Sequence, residues 1–122
     1  MKTFKIPCAN GIEFTFTRNT YSDNDNTYIG LISRENGIIE PFDDLTVNLG
    51  TPLPKNMAYI HVNHFEKEFL DALEEQGFIT PAEGREMSGF VTYPLYILHL
   101  DKMQEYMEPW QTEEVEDQGM EL

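Results

Sequence analysis

Residues 58–78 read AYIHVNHFEKEFLDALEEQGF, and the apolar period changes partway through them. Up to Asn63 the period is two: Ala58, Ile60 and Val62 share one side of an extended chain. Beyond it, Phe65, Phe69, Ala72 and Leu73 fall at i, i+4, i+7 and i+8, one face of a helix. Asn63 has a side-chain oxygen able to cap that helix, and Glu66 three residues on completes a capping box. Gly77 suits the left-handed stop position, with Phe78 placed to contact Leu73. The stretch therefore predicts a strand over 58–63 followed by the main helix over 64–76.

Upstream, the apolar segments keep the strand period. Phe4 and Ile6 flank Lys5, and Ile12, Phe14 and Phe16 alternate with Glu13, Thr15 and Thr17. Asn10-Gly11 between them suits a tight hairpin, as does Asn36-Gly37 further on. TYIGLIS (27–33) is apolar on both faces and predicts a central strand, with 38–42 pairing back against 28–32. Pro41 places an interruption or an edge in that return, and LTVNL (45–49) resumes as a strand. NTYSDNDN (19–26) and GTPLPKN (50–56) read as loops.

Downstream, Thr80-Pro81-Ala82-Glu83 has the pattern of one helical turn cut short by Gly84. GFVTYPLYILHL (89–100) predicts a long strand, in which Pro94 demands an edge or a bulge near Tyr93. Asp101 with Gln104 opens a short helix over 102–108, ended by Pro109, with Trp110 folding back as a plug. The expected fold is α+β: one antiparallel sheet of five or six strands carries helix 64–76 on one face, with the helix at 102–108 at its end. Residues 1–108 form the domain, and 109–122 are expected to be an acidic, mobile tail.

Charge narrows the function classes. The 122 residues carry 22 acids against eight Lys and Arg, a formal charge of -14. Residues 103–122 hold seven of the acids and no Lys or Arg. Such a chain is not built to bind nucleic acid or an anionic membrane directly, since phosphate contacts need cations. The charge leaves solubility, binding to a basic partner and imitation of a polyanion as its uses. There is no apolar run near the ~20 residues of a membrane span, no apolar leader in MKTFKIPCANG, and a single cysteine, Cys8. The expected location is the cytoplasm. Oligomeric state is not legible.

EPFDDLTVNL (40–49), the LP…AYI that follows and SGFVTYPLY (88–96) carry a resemblance. Over roughly residues 3–103 the chain resembles a family of small uncharacterised bacterial proteins, described as a domain of unknown function, carried on conjugative and other mobile elements of gut anaerobes. The resemblance implies a cytosolic accessory protein serving transfer, regulation or evasion of host defence. It brings no catalytic residues.

The residues themselves offer no catalytic set. Asp43 and Asp44 are adjacent, so in a strand they point apart and do not form an acid–base pair across a substrate. Calcium loops started at Asp23 or Asp25 end at Arg34 or Asn36, where a glutamate is needed. His61 on a strand and His64 in a helical first turn are expected to diverge, and His99 stands alone, so no metal is predicted. Cys8 has no local base, and no phosphate loop or nucleophile elbow occurs. No cofactor is predicted, and Phe90, Tyr93 and Tyr96 are expected to pack beneath the helix.

What remains is acidic. Glu68, Asp71 and Glu75 form one outward stripe on the helix, with Glu74, Glu83 and Glu86 beside it and Glu113, Glu114, Glu116 and Asp117 in the tail. These ten residues are the expected contact set for a basic protein. The expected function is a non-catalytic interaction protein, an inhibitor or polyanion mimic acting on a nucleic-acid-binding protein. The alternative is a small-molecule-binding regulatory module with its pocket between the sheet and residues 88–97.

Overall fold

One of the two Asn-Gly dipeptides, Asn36-Gly37, sets a hairpin of the first half; the tight turn expected at Asn10-Gly11 lies partly outside the described residues, in a connection that runs over residues 6–12. In the computed structural model, which describes residues 2–9 and 11–109, β1 (Phe4–Lys5), β2 (Glu13–Thr20), β3 (Thr27–Glu35) and β4 (Ile38–Asp44) form one antiparallel sheet in that order. Between β3 and β4, Asn36 and Gly37 take φ of 52° and 80°, the pair of left-handed residues that a two-residue hairpin turn needs. β3 is internal, as its two apolar faces require, and β4 is an edge. The ladder slips so that Pro41 pairs with Ile32 and Asp43 with Leu31, leaving Phe42 as an extra residue. Pro41 thus sits beside a bulge on an edge, where a missing amide costs least.

The expected single sheet is in fact two sheets of four strands. β5 (Thr46–Val47), β6 (Met57–Ile60), β7 (Ile79–Ser88) and β8 (Val91–Leu98) form the second, also antiparallel, in the order β5-β6-β8-β7. The division falls at Leu45, which is fully buried. Its amide donates to the Ile29 carbonyl of β3 at 2.9 Å, and its carbonyl accepts from the His61 amide, just past β6, at 3.0 Å. One residue is bonded to both sheets, and the chain changes sheet across it. The apolar alternation over 45–49 reports burial, which does not say which sheet a strand joins.

Helix α1 (Lys67–Glu75) is shorter than the predicted 64–76. Its N-cap is Glu66, not Asn63, and Glu66 makes no side-chain cap bond. The preceding residues turn instead, with the His64 amide donating to the His61 carbonyl at 2.9 Å. This turn lets Val62 and Phe65 both pack against the core. The helix stop is as predicted. Gly77 has φ of 85°, its amide donates to Glu74, and the Phe78 amide donates to Leu73, both at 3.0 Å, the paired bonds of a Schellman motif.

Residues 80–83 do not form a helical turn but belong to β7. Pro81 pairs with Tyr96, and the ladder slips between Pro81 and Arg85, where Gly84 lies against Leu95. Pairing with β8 overrides the local cap signal. β8 itself is internal; Pro94 is tolerated because β6 pairs only with Leu95–Ile97 and β7 bulges beside it. α2 (Leu100–Gln104) starts and ends before the predicted 102–108. Tyr106–Glu108 leave it to extend the first sheet: the Phe16 amide donates to Tyr106 at 2.9 Å, and the Glu108 amide to Phe16 at 3.1 Å. The predicted Trp110 plug, and the predicted tail beyond Pro109, lie outside the described residues.

An aromatic cluster holds these parts together. Phe4, Phe16 and Phe78 have centroids 4.8, 4.8 and 4.9 Å apart, and Tyr106 sets its edge against Phe4 and Phe78. β1, β2 and the residues following both helices meet there, so each helix end is tied to the first sheet. Among the described residues no helix is long and apolar enough to cross a membrane.

Candidate interaction surface

Four of the ten predicted acids lie on α1. Glu68 and Glu75 are exposed, and Asp71 and Glu74 are half-buried. Lys67, one turn from Asp71, donates to its carboxylate at 2.8 Å. That hydrogen bond, and next the charge of Asp71, hold the ammonium above its ordinary range. Glu74 and Asp71 flank Tyr96 of β8, whose hydroxyl is pushed up first by burial and then by these carboxylates. The acidic face of α1 therefore reaches to the second sheet.

The remaining acids do not all join it. Glu83 is exposed on the β7 bulge. Glu86 pairs with Tyr93, whereas Pro81 pairs with Tyr96. Tyr93 and Tyr96 are an odd number of residues apart, so Glu86 points away from α1. It accepts from Thr51 Oγ1 at 2.8 Å and flanks Tyr59, whose hydroxyl rises chiefly through burial and secondarily through this carboxylate. Glu113, Glu114, Glu116 and Asp117 lie outside the described residues.

The histidines overturn an expectation. His61 and His64 do not diverge; their rings stack at 4.1 Å and 9°. The turn that replaces the predicted first helical turn folds His64 back over His61. His64 Nδ1 lies 3.1 Å from Asp43 Oδ1, and Tyr93 sets its edge on His61 at 5.9 Å. Burial, and then the neighbouring His64, lower the pKa of His61, against a smaller upward pull from Asp43 and Asp44. His99 lies elsewhere, 2.6 Å from Thr80 Oγ1. Among the described residues no three His, Cys, Asp or Glu side chains are grouped to hold a metal ion.

Asp43 and Asp44 point apart, as predicted. Asp44 accepts from the Tyr28 hydroxyl at 2.6 Å, and burial more than this bond raises Tyr28. The β4 bulge turns Phe42 toward α1, where its ring lies nearly parallel to Phe69 at 5.8 Å. Phe42, Phe65 and Phe69 then floor a cavity of about 250 Å³ whose walls include Cys8, His64 and Glu66. A thiol from one segment and an imidazole and a carboxylate from another thus border one concavity. Among the described residues no hydrogen bond joins His64 to Cys8, so the base is not set against the thiol.

The predicted packing of residues 90–97 holds only for Tyr96. Phe90 is fully exposed at the β7–β8 hairpin tip beside exposed Met87, because it lies in the turn, and Tyr93 faces His61. The concavity bordering this segment is a groove of about 460 Å³ walled by Ala82–Arg85, Thr92 and Pro94.

Two polar clusters were invisible in the pattern. Asn26, nearly buried, donates to the Thr51 carbonyl at 2.8 Å and accepts from the Leu53 amide at 2.9 Å, while Asn48 donates to Asp23 at 2.9 Å. The residues that imitate a calcium loop are clamps on the 48–53 loop. Glu108, buried, receives a two-pronged bond from Arg34 and a third from Thr15. Its only sequence signal is Arg34, at the polar end of β3.

No curated protein and no solved structure matches this chain. A protein-family model does match it over residues 15–118, from β2 through the whole of the second sheet and past Pro109. The chain belongs to that family, described as a domain of unknown function (DUF4313).

Proposed function

We propose that this protein is a cytoplasmic, non-catalytic accessory of a bacterial mobile genetic element, binding a basic nucleic-acid-binding protein of host defence or transfer through its negative surface. One observation carries the reading: Glu68, Asp71, Glu74 and Glu75 are gathered on α1, with Lys67 the only base on the helix and already paired to Asp71. The rest of the charge supports it. Five of the 22 acids lie in 110–122, leaving 17 against all eight Lys and Arg in the described residues. Three of those bases, Lys2, Arg34 and Lys67, are ion-paired with carboxylates. Such a surface attracts a cationic protein over about a Debye length and repels phosphate.

Imitation of a duplex is the narrower form. Along α1 the stripe offers one charge per ~5 Å, against one per ~3.4 Å on each DNA strand. The helix alone is too sparse, so a mimic would draw on Glu83 and on Glu113, Glu114, Glu116 and Asp117.

The test is capture from a bacterial lysate on the full chain and on a variant with Glu68, Glu74 and Glu75 changed to Gln and Asp71 to Asn. A basic nucleic-acid-binding protein retained at low salt, released at high salt and missing from the variant is the expected result. Retention indifferent to both salt and the four substitutions refutes the reading. A second reading, a regulatory module taking a small molecule, is favoured by the groove beside Thr92 and Pro94; thermal-shift screening of metabolites tests it, and a screen without any shift ends it.

A further inference from the structure

The cavity at the start of α1 is lined by three phenylalanines, with Glu66 as the one carboxylate among its lining residues. Phe42, Phe65 and Phe69 form its floor, Phe42 being 43% exposed. Phe65 and Phe69 lie 5.1 Å apart, tilted by 30°. Glu66 stands at the rim without a cap bond, and no Lys or Arg lines the walls. Asp43, outside the lining, lies 3.1 Å from Nδ1 of the lining His64. At about 250 Å³ the space is smaller than a drug-sized site of ~300–1,000 Å³ and fits one long side chain.

We propose that this cavity receives an arginine side chain of the basic partner. The inference rests on the acidic-surface reading and names the group the partner presents. An arginine stem buries against the phenylalanines, the guanidinium plane stacks on an aromatic face, and its N–H groups bond Glu66. Lysine suits the site less, because its ammonium is compact and strongly hydrated. An anionic occupant meets Glu66, and a second copy of the chain brings a charge of -14 against a like charge. The first turn of α1 opposes a cation with roughly half a positive charge, which Glu66 and Glu68 more than offset.

Cys8 provides the test. It is exposed, lies in the cavity wall and is the only cysteine, so N-ethylmaleimide occupies the cavity without a substitution. Deca-arginine and deca-lysine peptides, equal in charge, are titrated into the full chain at low salt before and after alkylation. The untreated protein is expected to prefer deca-arginine by about tenfold, and alkylation to reduce the preference to under about twofold while deca-lysine binding persists. If the alkylated chain unfolds, Glu66→Gln replaces it, since that carboxylate makes no cap bond. Equal affinities in the untreated protein, or a preference that survives blocking, overturn the cavity and leave the acidic surface standing. If neither peptide binds, the acidic surface falls and this inference with it.

Discussion

Replacing Glu108 with alanine removes a carboxylate on which β2 and β3 converge. Arg34 Nη2 donates to Oε1 at 2.6 Å and Nε to Oε2 at 3.2 Å, and the Thr15 hydroxyl donates to Oε2 as well. The glutamate side chain is 4% exposed and the arginine 22%. Breaking a buried pair from one side costs about 3–5 kcal/mol, because the remaining charge stays buried. Water reaches Arg34 in part, so the expected loss is about 2–3 kcal/mol. For a chain of this length that lowers Tm by about 10 °C. Urea unfolding followed by circular dichroism measures it. The double variant Arg34→Met with Glu108→Leu should recover most of the loss, since an apolar pair needs no charge compensation. Recovery stays incomplete because the fully buried Thr15 hydroxyl then lacks its partner. A loss below about 0.5 kcal/mol for Glu108→Ala, the range of an ordinary surface substitution, refutes the reasoning; so does a double variant as unstable as the single.

Asn26→Ala should cost about 2 kcal/mol, because it leaves the Leu53 amide and the Thr51 carbonyl without a partner; limited proteolysis should then cut the 48–55 loop faster. Gly30→Ala places a methyl group against the Tyr28 and Thr17 hydroxyl oxygens. Urea unfolding should show a loss of about 1–3 kcal/mol as Tyr28 is forced off Asp44. His61 has a folded pKa below its unfolded value of about 6.5. The unfolded chain therefore binds the proton first, so this contribution is present above that pH and is lost as pH falls below it. His61→Gln should flatten the fall in Tm between about pH 7 and 5; an unchanged profile sinks the assignment.

The legible parts of the fold were those that local chemistry decides alone. Asn36-Gly37 and Gly77 adopt the left-handed conformations their positions announce, and β3 is central because both its faces are apolar. What escaped depends on distant partners. Asn63 and Glu66 spell a capping box, but packing of Val62 and Phe65 favours a turn, and that turn creates the His61–His64 stack. Thr80-Pro81-Ala82-Glu83 spells a helix start, but β8 offers a ladder. Leu45 carries no mark of the sheet change it makes. The acids of α1 were readable from spacing, whereas Glu86 was not, because its face is set by a register with β8 that no local period encodes.

The two proposed contact features share one helix, and this fixes how they divide the work. On the proposed reading the outward acids of α1 act at a distance, are screened by salt and are indifferent to the order of charges on a partner, so they set the rate of encounter. On the same reading the cavity at the N-terminal end of α1 acts only on contact and through shape, so it sets which encounters persist. Neither suffices alone. A cationic protein lacking an arginine at the right place is drawn to the surface and released, and an arginine on a neutral protein seldom arrives. Because α1 is pinned at its far end by the Gly77–Phe78 stop and by Phe78 in the aromatic cluster, cavity and stripe keep a fixed separation. On the proposed reading a partner is selected by the spacing between one arginine and its remaining positive charge, a stricter requirement than net charge.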